Sequence, residues 1–267
     1  MKIPRLSLAI LSTACTMAYA GTSRYAGKDM LVETQAPDCA EWTGFYVGGL
    51  VGYKFGSADV VLDPTGMWEF SPLDRDAIQA RAPNEIDMSG GELGGLIGYN
   101  FQFNGCWVFG LEIDGGYLWL RDSANTGTFS LPVLSDKSIQ TSFKTHYLVT
   151  LAPRLGYAFG KWLPYITSGL ALGDLDFAQR LHNVSGSPSG PYHTSGAIQE
   201  THAGWMIGAG LQYALDGHWS VRAQYQYVDL GDVAFDAPGS VPFADFTSHN
   251  EASLTEHNAS VAVIYKP

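Results

Sequence analysis

Six charged residues fall into rows that alternate with apolar ones: Lys54, Glu92, Glu112, Asp114, Arg154 and Arg222. Each occupies the polar phase of a segment whose other phase is aliphatic or aromatic. If the two phases meet different surroundings, the six collect on one enclosed side, three bases against three acids. Charge in such a place is costly unless it is paired, so pairing is the first chemistry to expect. The reading taken is a salt-bridged plug. The alternative is a narrow channel for small ions or solutes lined by the same residues. Arg222 shares its row with Gln224 and Gln226 and is expected to bond to Glu112 or its neighbours.

Other residue types invite other chemistry. His218 and Ser220 flank Trp219, while His249 and His257 lie near Ser248, Glu251 and Ser253. A Ser–His pair can serve acyl transfer when a third group orients the base. Spacing fixes no third group here, so no catalytic residue is assigned. Segment 56–90 carries Asp59, Asp63, Glu69, Asp74, Asp76, Glu85 and Asp87 against Arg75 and Arg81. Segment 230–251 carries Asp232, Asp236, Asp245 and Glu251 with no lysine or arginine. Such oxygens suit Ca²⁺ or Mg²⁺, but no stretch has the spacing of a calcium loop. Neither a metal nor a cofactor is expected. A formal net charge of −11 argues against a nucleic-acid partner.

The elements that position these residues are strands. In WSVRAQYQYVD at 219–229, Trp219, Val221, Ala223, Tyr225 and Tyr227 alternate with Ser220, Arg222, Gln224 and Gln226. A period of two belongs to a strand with two unlike faces. Aromatics at both ends of the apolar row match the girdles of a transmembrane strand. The same pattern recurs at 44–55, 92–101, 107–120, 143–159, 163–177, 199–214 and 252–265; the faces of the fifth strand are not separable. Connections alternate long and short: 56–90, 102–106, 121–142, 160–162, 179–198, 215–217 and 230–251. The expected fold is all-β, an eight-stranded antiparallel transmembrane β-barrel with four long extracellular loops and short periplasmic turns. No window of 18 consecutive apolar residues exists, which excludes spanning helices.

Residues 1–20 read as a secretory signal: Lys2 and Arg5, an apolar run from Leu6 to Leu11, then Ala18-Tyr19-Ala20. Lipidation at Cys15 fits less well, because Ser12 stands where an apolar residue is wanted. Residues 21–41 read as a periplasmic leader and 42–267 as the barrel. Without the signal, Cys39 and Cys106 are the remaining cysteines. Cys39 precedes strand one and Cys106 lies in the first short turn, at the same end of a hairpin. A disulfide is expected between them in an oxidising compartment.

Three stretches carry a family resemblance: WTGFYVGGLVGY at 42–53, APRLGYAFGKWLPYITSGLALG at 152–173, and GWMIGAGLQYAL with HWSVRAQYQYVDLG at 204–231. They resemble the small outer-membrane β-barrels of alphaproteobacteria, the opacity-type porin family, related in architecture to the OmpA transmembrane domain. The resemblance implies an outer-membrane location, an eight-stranded barrel and no known catalytic centre. The partners it suggests are outer-membrane lipid and lipopolysaccharide, the barrel-assembly machinery, and a host or surface partner met through the loops. The chain departs from the family at its carboxyl end, where Lys266-Pro267 follows Tyr265.

Overall fold

A computed structural model describes residues 39–132, 136–183, 193–239 and 244–267. The expected signal at 1–20 and leader residues 21–38 lie outside the described residues. Eight antiparallel strands form a closed barrel in sequence order: β1 (Gly44–Gly66), β2 (Glu85–Phe103), β3 (Trp107–Asn125), β4 (Lys137–Tyr157), β5 (Trp162–Asn183), β6 (His193–Ala214), β7 (Trp219–Ala237) and β8 (Phe246–Tyr265). β1 closes the ring on β8, with Val47 opposite Tyr265 and Gly66 opposite Phe246. The first short turn is built as its Asn-Gly pair dictates, with Asn104 at φ 47° and Gly105 at φ 82°.

The strands are far longer than a bilayer needs. β1 runs for 23 residues, where about 9–11 suffice to cross the hydrocarbon. Two aromatic rings mark the crossing. Phe101, Trp107, Trp162, Trp219 and Tyr265 sit exposed toward the short-turn end. Tyr53, Tyr117, Trp119, Tyr147 and Trp205 sit exposed at the other. Between them the outer wall is apolar, as with Ile97, Leu111, Ile113, Leu151, Ile166 and Val261. The faces expected for strands one to four and six to eight are those observed. In β5, Ile166, Leu170 and Leu172 point out while Leu163, Tyr165 and Thr167 point in.

Beyond the second ring the enclosed side changes from polar to apolar. In β1, Val60 and Leu62 are buried inside the wall, while Asp59 faces out. In β4 and β7 the apolar positions stay odd, but register shifts at Lys144/Leu148 and Asp229/Gly231 turn them inward, so that Phe143 and Val233 are inside and Lys144 and Asp232 outside. The cause is the change of surroundings. Within the membrane the outside is hydrocarbon and the interior holds polar groups. Above it the outside is water, so the enclosed side becomes apolar. Among the described residues, the segments expected to be loops at 56–90, 121–142, 179–198 and 230–251 therefore begin and end as strand. What remains of the first is a short 3-10 turn (Met67–Phe70) and one helix, α1 (Pro72–Gln79).

This rim is no longer a hydrogen-bonded ring. β2 is registered with β3 only over Glu92–Phe103 against Leu118–Trp107. β6 is registered with β7 only over Trp205–Ala214 against Asp229–Ser220. The other six boundaries stay paired well into the rim. Above the membrane the barrel thus divides into two four-stranded sheets, β7-β8-β1-β2 and β3-β4-β5-β6. Their inner faces share one apolar core, with Val60, Met88, Val233 and Leu254 from one sheet and Phe143, Leu148, Leu175 and Phe177 from the other. Phe143 and Phe177 stack at 4.3 Å. At the top, Trp68 and Ile78 pack with Leu62, Phe129, Ile139 and Leu181. Asp63 fastens α1, accepting from Arg75 Nη2 and Gln79 Nε2, each at 2.8 Å.

Candidate functional site

All six charged residues singled out in the sequence point into the barrel and are buried. They form two groups. In the lower group Glu112 is gripped at both oxygens by Arg222, Nη1 to Oε1 at 2.6 Å and Nη2 to Oε2 at 2.7 Å. This is the bidentate fork that favours arginine over lysine in buried pairs. Arg154 Nη1 lies 3.5 Å from Glu112 Oε2, and its Nε and Nη2 donate to Asn100 Oδ1 at 3.0 and 2.9 Å. Tyr46 donates to Glu112 Oε2 at 2.6 Å. The second tyrosine, Tyr165, donates to Gln224.

The two tyrosine rings sandwich the two guanidinium groups. Arg154 lies 4.8 Å from the Tyr46 centroid and 5.0 Å from that of Tyr165. Arg222 lies 5.9 and 5.4 Å from the same rings. Each tyrosine stands opposite a glycine on the neighbouring strand, Tyr46 across from Gly98 and Tyr165 across from Gly210. A Cβ at either glycine would run into the tyrosine, so the absent side chain is what lets the ring lie flat over the arginines.

The upper group centres on Lys54. Its Nζ sits 3.7 Å from both Glu92 Oε1 and Glu256 Oε2. Asn258 Nδ2 donates to Glu92 at 2.9 Å and to Gln226 Oε1 at 3.2 Å, and Gln226 Nε2 donates to Asp114 at 3.3 Å. Between the groups is a cavity of about 10 Å³ touching Asp114, Arg222, Gln226 and Asn258, space for no more than one water. The sequence reading puts Tyr46 and Asn100 on the faces of Lys54 and Glu92 without assigning them a role, and it misses Tyr165 and Glu256. Glu256 was within reach, since it continues the inward phase of Ile264, Ala262 and Ser260. Tyr165 was not, because β5 shows apolar residues on both faces.

A strap of chain crosses the short-turn mouth. Cys39 and Cys106 form a disulfide with Cα atoms 6.0 Å apart. Ala40 N–H donates to Gly160 carbonyl at 2.8 Å, and Lys266 Nζ donates to Glu41 carbonyl at 2.7 Å. Trp42 is buried among Val108, Ala158, Leu163 and Ala214. Beside it a vestibule of about 390 Å³ opens at the turn residues Asp216, Gly217 and His218 and reaches up to Tyr46, Asn100 and Gln212. At the rim of this mouth, backbone N–H groups of Trp219 and His218 hold the Asp216 carboxyl below the usual range.

The Ser–His candidates are not brought together. His249 bonds to Asp236 at 2.7 Å and His257 to Tyr225 at 2.6 Å. Ser248 is buried inside the wall while His249 is exposed outside it. Ser220 accepts from Gln212 within the lumen, and the His218 ring lies against the Lys266 carbonyl.

Comparison with known proteins follows the same lines. A family model described as an outer membrane protein beta-barrel domain matches residues 6–266. The 31 kDa outer-membrane immunogenic protein of Brucella melitensis is 31% identical over 225 residues, covering 82% of this chain and 85% of the relative. The 25 kDa outer-membrane immunogenic protein of Brucella abortus is 27% identical over 141 residues, covering 53% of each. Among solved structures, the outer membrane protein OprG from Pseudomonas aeruginosa is similar with TM-score 0.43 and 12% identity, covering 86% of this chain and 99% of that one.

Proposed function

This chain belongs to the outer-membrane β-barrel family and resides in the outer membrane, and from that premise we propose that it is a closed, non-conducting barrel that displays a raised rim to the cell's surroundings. The observation that carries the reading is closure of the axis at successive levels. The Trp42 strap narrows the periplasmic mouth to the vestibule beside it. The Glu112–Arg222–Arg154 and Lys54 groups fill the middle. The apolar rim core and the Trp68–Ile78 cap fill the top. An ion on this path would shed its water in an apolar layer, at a cost of several kcal/mol even after relaxation.

In this reading specificity lies in the rim and the connections above it. Lipopolysaccharide surrounds the wall, the barrel-assembly machinery inserts it, and a host or surface partner meets the tip. No catalytic step is assigned, since the His249 and His257 rings engage Asp236 and Tyr225 rather than a serine. The Brucella relatives are described as immunogenic, and the proposal gives this rim the same exposure. Planar-bilayer recording of monodisperse protein tests it. The expected trace is flat. Stable single-channel steps that vanish in Glu112 or Arg222 variants would install the channel reading instead.

A further inference from the structure

The β6–β7 boundary of the rim lacks the ladder that seals a barrel wall. Above the Trp205–Asp229 pair the two strands run on without register until an isolated bridge at Thr194–Gly239. The result is a slit in the backbone ladder, filled by side chains, just above the outer aromatic ring, where Trp205 and Tyr227 meet at 5.5 Å. Opening it breaks no strand ladder, only side-chain packing.

Two features show what the slit leads to. Behind it lies the apolar rim core, and the residues at its margin, Ile198 and Phe235, are only partly buried against that core. The Phe235 ring meets Phe177 edge-on at 5.0 Å and covers Gly196 on the facing strand. Swinging this ring outward would expose Phe177 and Leu175. At the mouth the charge is acidic. Glu200 follows the inward phase of β6, yet its side chain is 59% exposed, and it lies 3.7 Å from His202. Asp229 is partly exposed and Asp232 exposed on the β7 margin.

We propose that this slit is a lateral binding site for a cationic single-chain amphiphile. The hydrocarbon chain enters between β6 and β7 in place of the Phe235 ring, and the ammonium head stays at Glu200 and Asp232. Apolar depth with an acidic mouth favours a positive head over a carboxylate one, which these acids would repel. The site lies beside the closed axis, so it stands whether or not the barrel conducts.

The test is photo-crosslinking of the intact barrel with a diazirine-bearing dodecylammonium probe, adducts mapped by peptide mass spectrometry. Adducts on 197–204 and 229–236, competed by dodecylamine and reduced severalfold in Glu200→Gln, are the expected result. A probe of equal length with a carboxylate head should mark only the lipid-facing belt. Heat-modifiable migration on gels confirms that the variant is folded. Phe235→Ala, which removes the covering ring, should raise labelling of the Phe177 peptide. Two outcomes overturn the proposal: cationic adducts confined to belt residues such as Leu111 and Ile166, or equal labelling of the slit by both heads.

Discussion

Arg222 and Glu112 are each buried and each depends on the other. Arg222→Ala leaves the Glu112 carboxylate with Tyr46 and the more distant Arg154. Stranding one partner of a buried pair costs about 3–5 kcal/mol, and Arg154 should hold the loss near the lower end. Urea unfolding in detergent micelles measures it. The double variant Glu112→Leu with Arg222→Leu should lose more than Arg222→Ala alone, because the buried Arg154 guanidinium then keeps only the neutral partners Asn100 and Gln212. At the rim, well above the membrane, Lys137 behaves differently. Burial pushes its ammonium down to about 8, against the pull of Asp74. The unfolded chain therefore holds a proton that the folded one has released between about 8 and the ordinary lysine value of 10.5. Stability should rise with pH through that window. Melting temperatures of the wild type and Lys137→Met across pH 7–10 check the sign: the wild type should gain on the variant as pH increases.

The strands carry two kinds of interior, and substitutions should tell them apart. Leu111→Arg, on the lipid face of β3, should cost about 2–4 kcal/mol near the bilayer midplane. The same change at neighbouring Gly110 should act through crowding against Asn100 and Arg154, with no lipid penalty. Equal losses in lipid and in detergent at both positions would contradict the faces. In the rim, Leu254 is fully buried between the two sheets, and Leu254→Ala should cost about 2–5 kcal/mol. A loss under about 1 kcal/mol, below the range for a packed leucine, would mean that the sheets do not share a core. The rim strands were hidden in the sequence because polarity reverses its phase in β1, while in β4 and β7 register shifts at Lys144/Leu148 and Asp229/Gly231 exchange the faces. Asp59-Val60-Val61-Leu62-Asp63 is an ordinary water-facing strand, but a reader following lipid-facing aromatics stops at Phe55.

For the molecule as a whole, the strap joins the amino-terminal side of the barrel to its first turn. The Cys39–Cys106 link spans 67 positions, and a cross-link of that length is worth about 4 kcal/mol in the chain-entropy model. Thiol labelling of unreduced, unfolded mature protein should find no reactive cysteine; two per monomer would end the assignment. Cys39→Ser should loosen the strap and let water reach Trp42, seen as a red shift in tryptophan emission against the wild type. Conductance should remain absent in this variant, since the Arg222 and rim layers still close the axis.

Period-two alternation, with the alternation of long and short connections, indicated eight antiparallel strands, the faces of the membrane-crossing stretches of all but β5, and one enclosed side shared by Lys54, Glu92, Glu112, Asp114, Arg154 and Arg222. It could do so because hydrocarbon outside a wall forces every second residue to be apolar, and that constraint is local. The Cys39–Cys106 pairing was legible for a similar reason, as hairpin ends meet. What needed the tertiary structure is everything set across the lumen. Beyond the contact of Arg222 with Glu112, which acid meets which base, the Tyr46 and Tyr165 rings over the arginines, and the division of the rim into two sheets depend on contacts between residues far apart in the chain, from Lys54–Glu92 to Lys54–Glu256. Such contacts leave no period in the chain, because each depends on where the opposite wall stands once the barrel has closed.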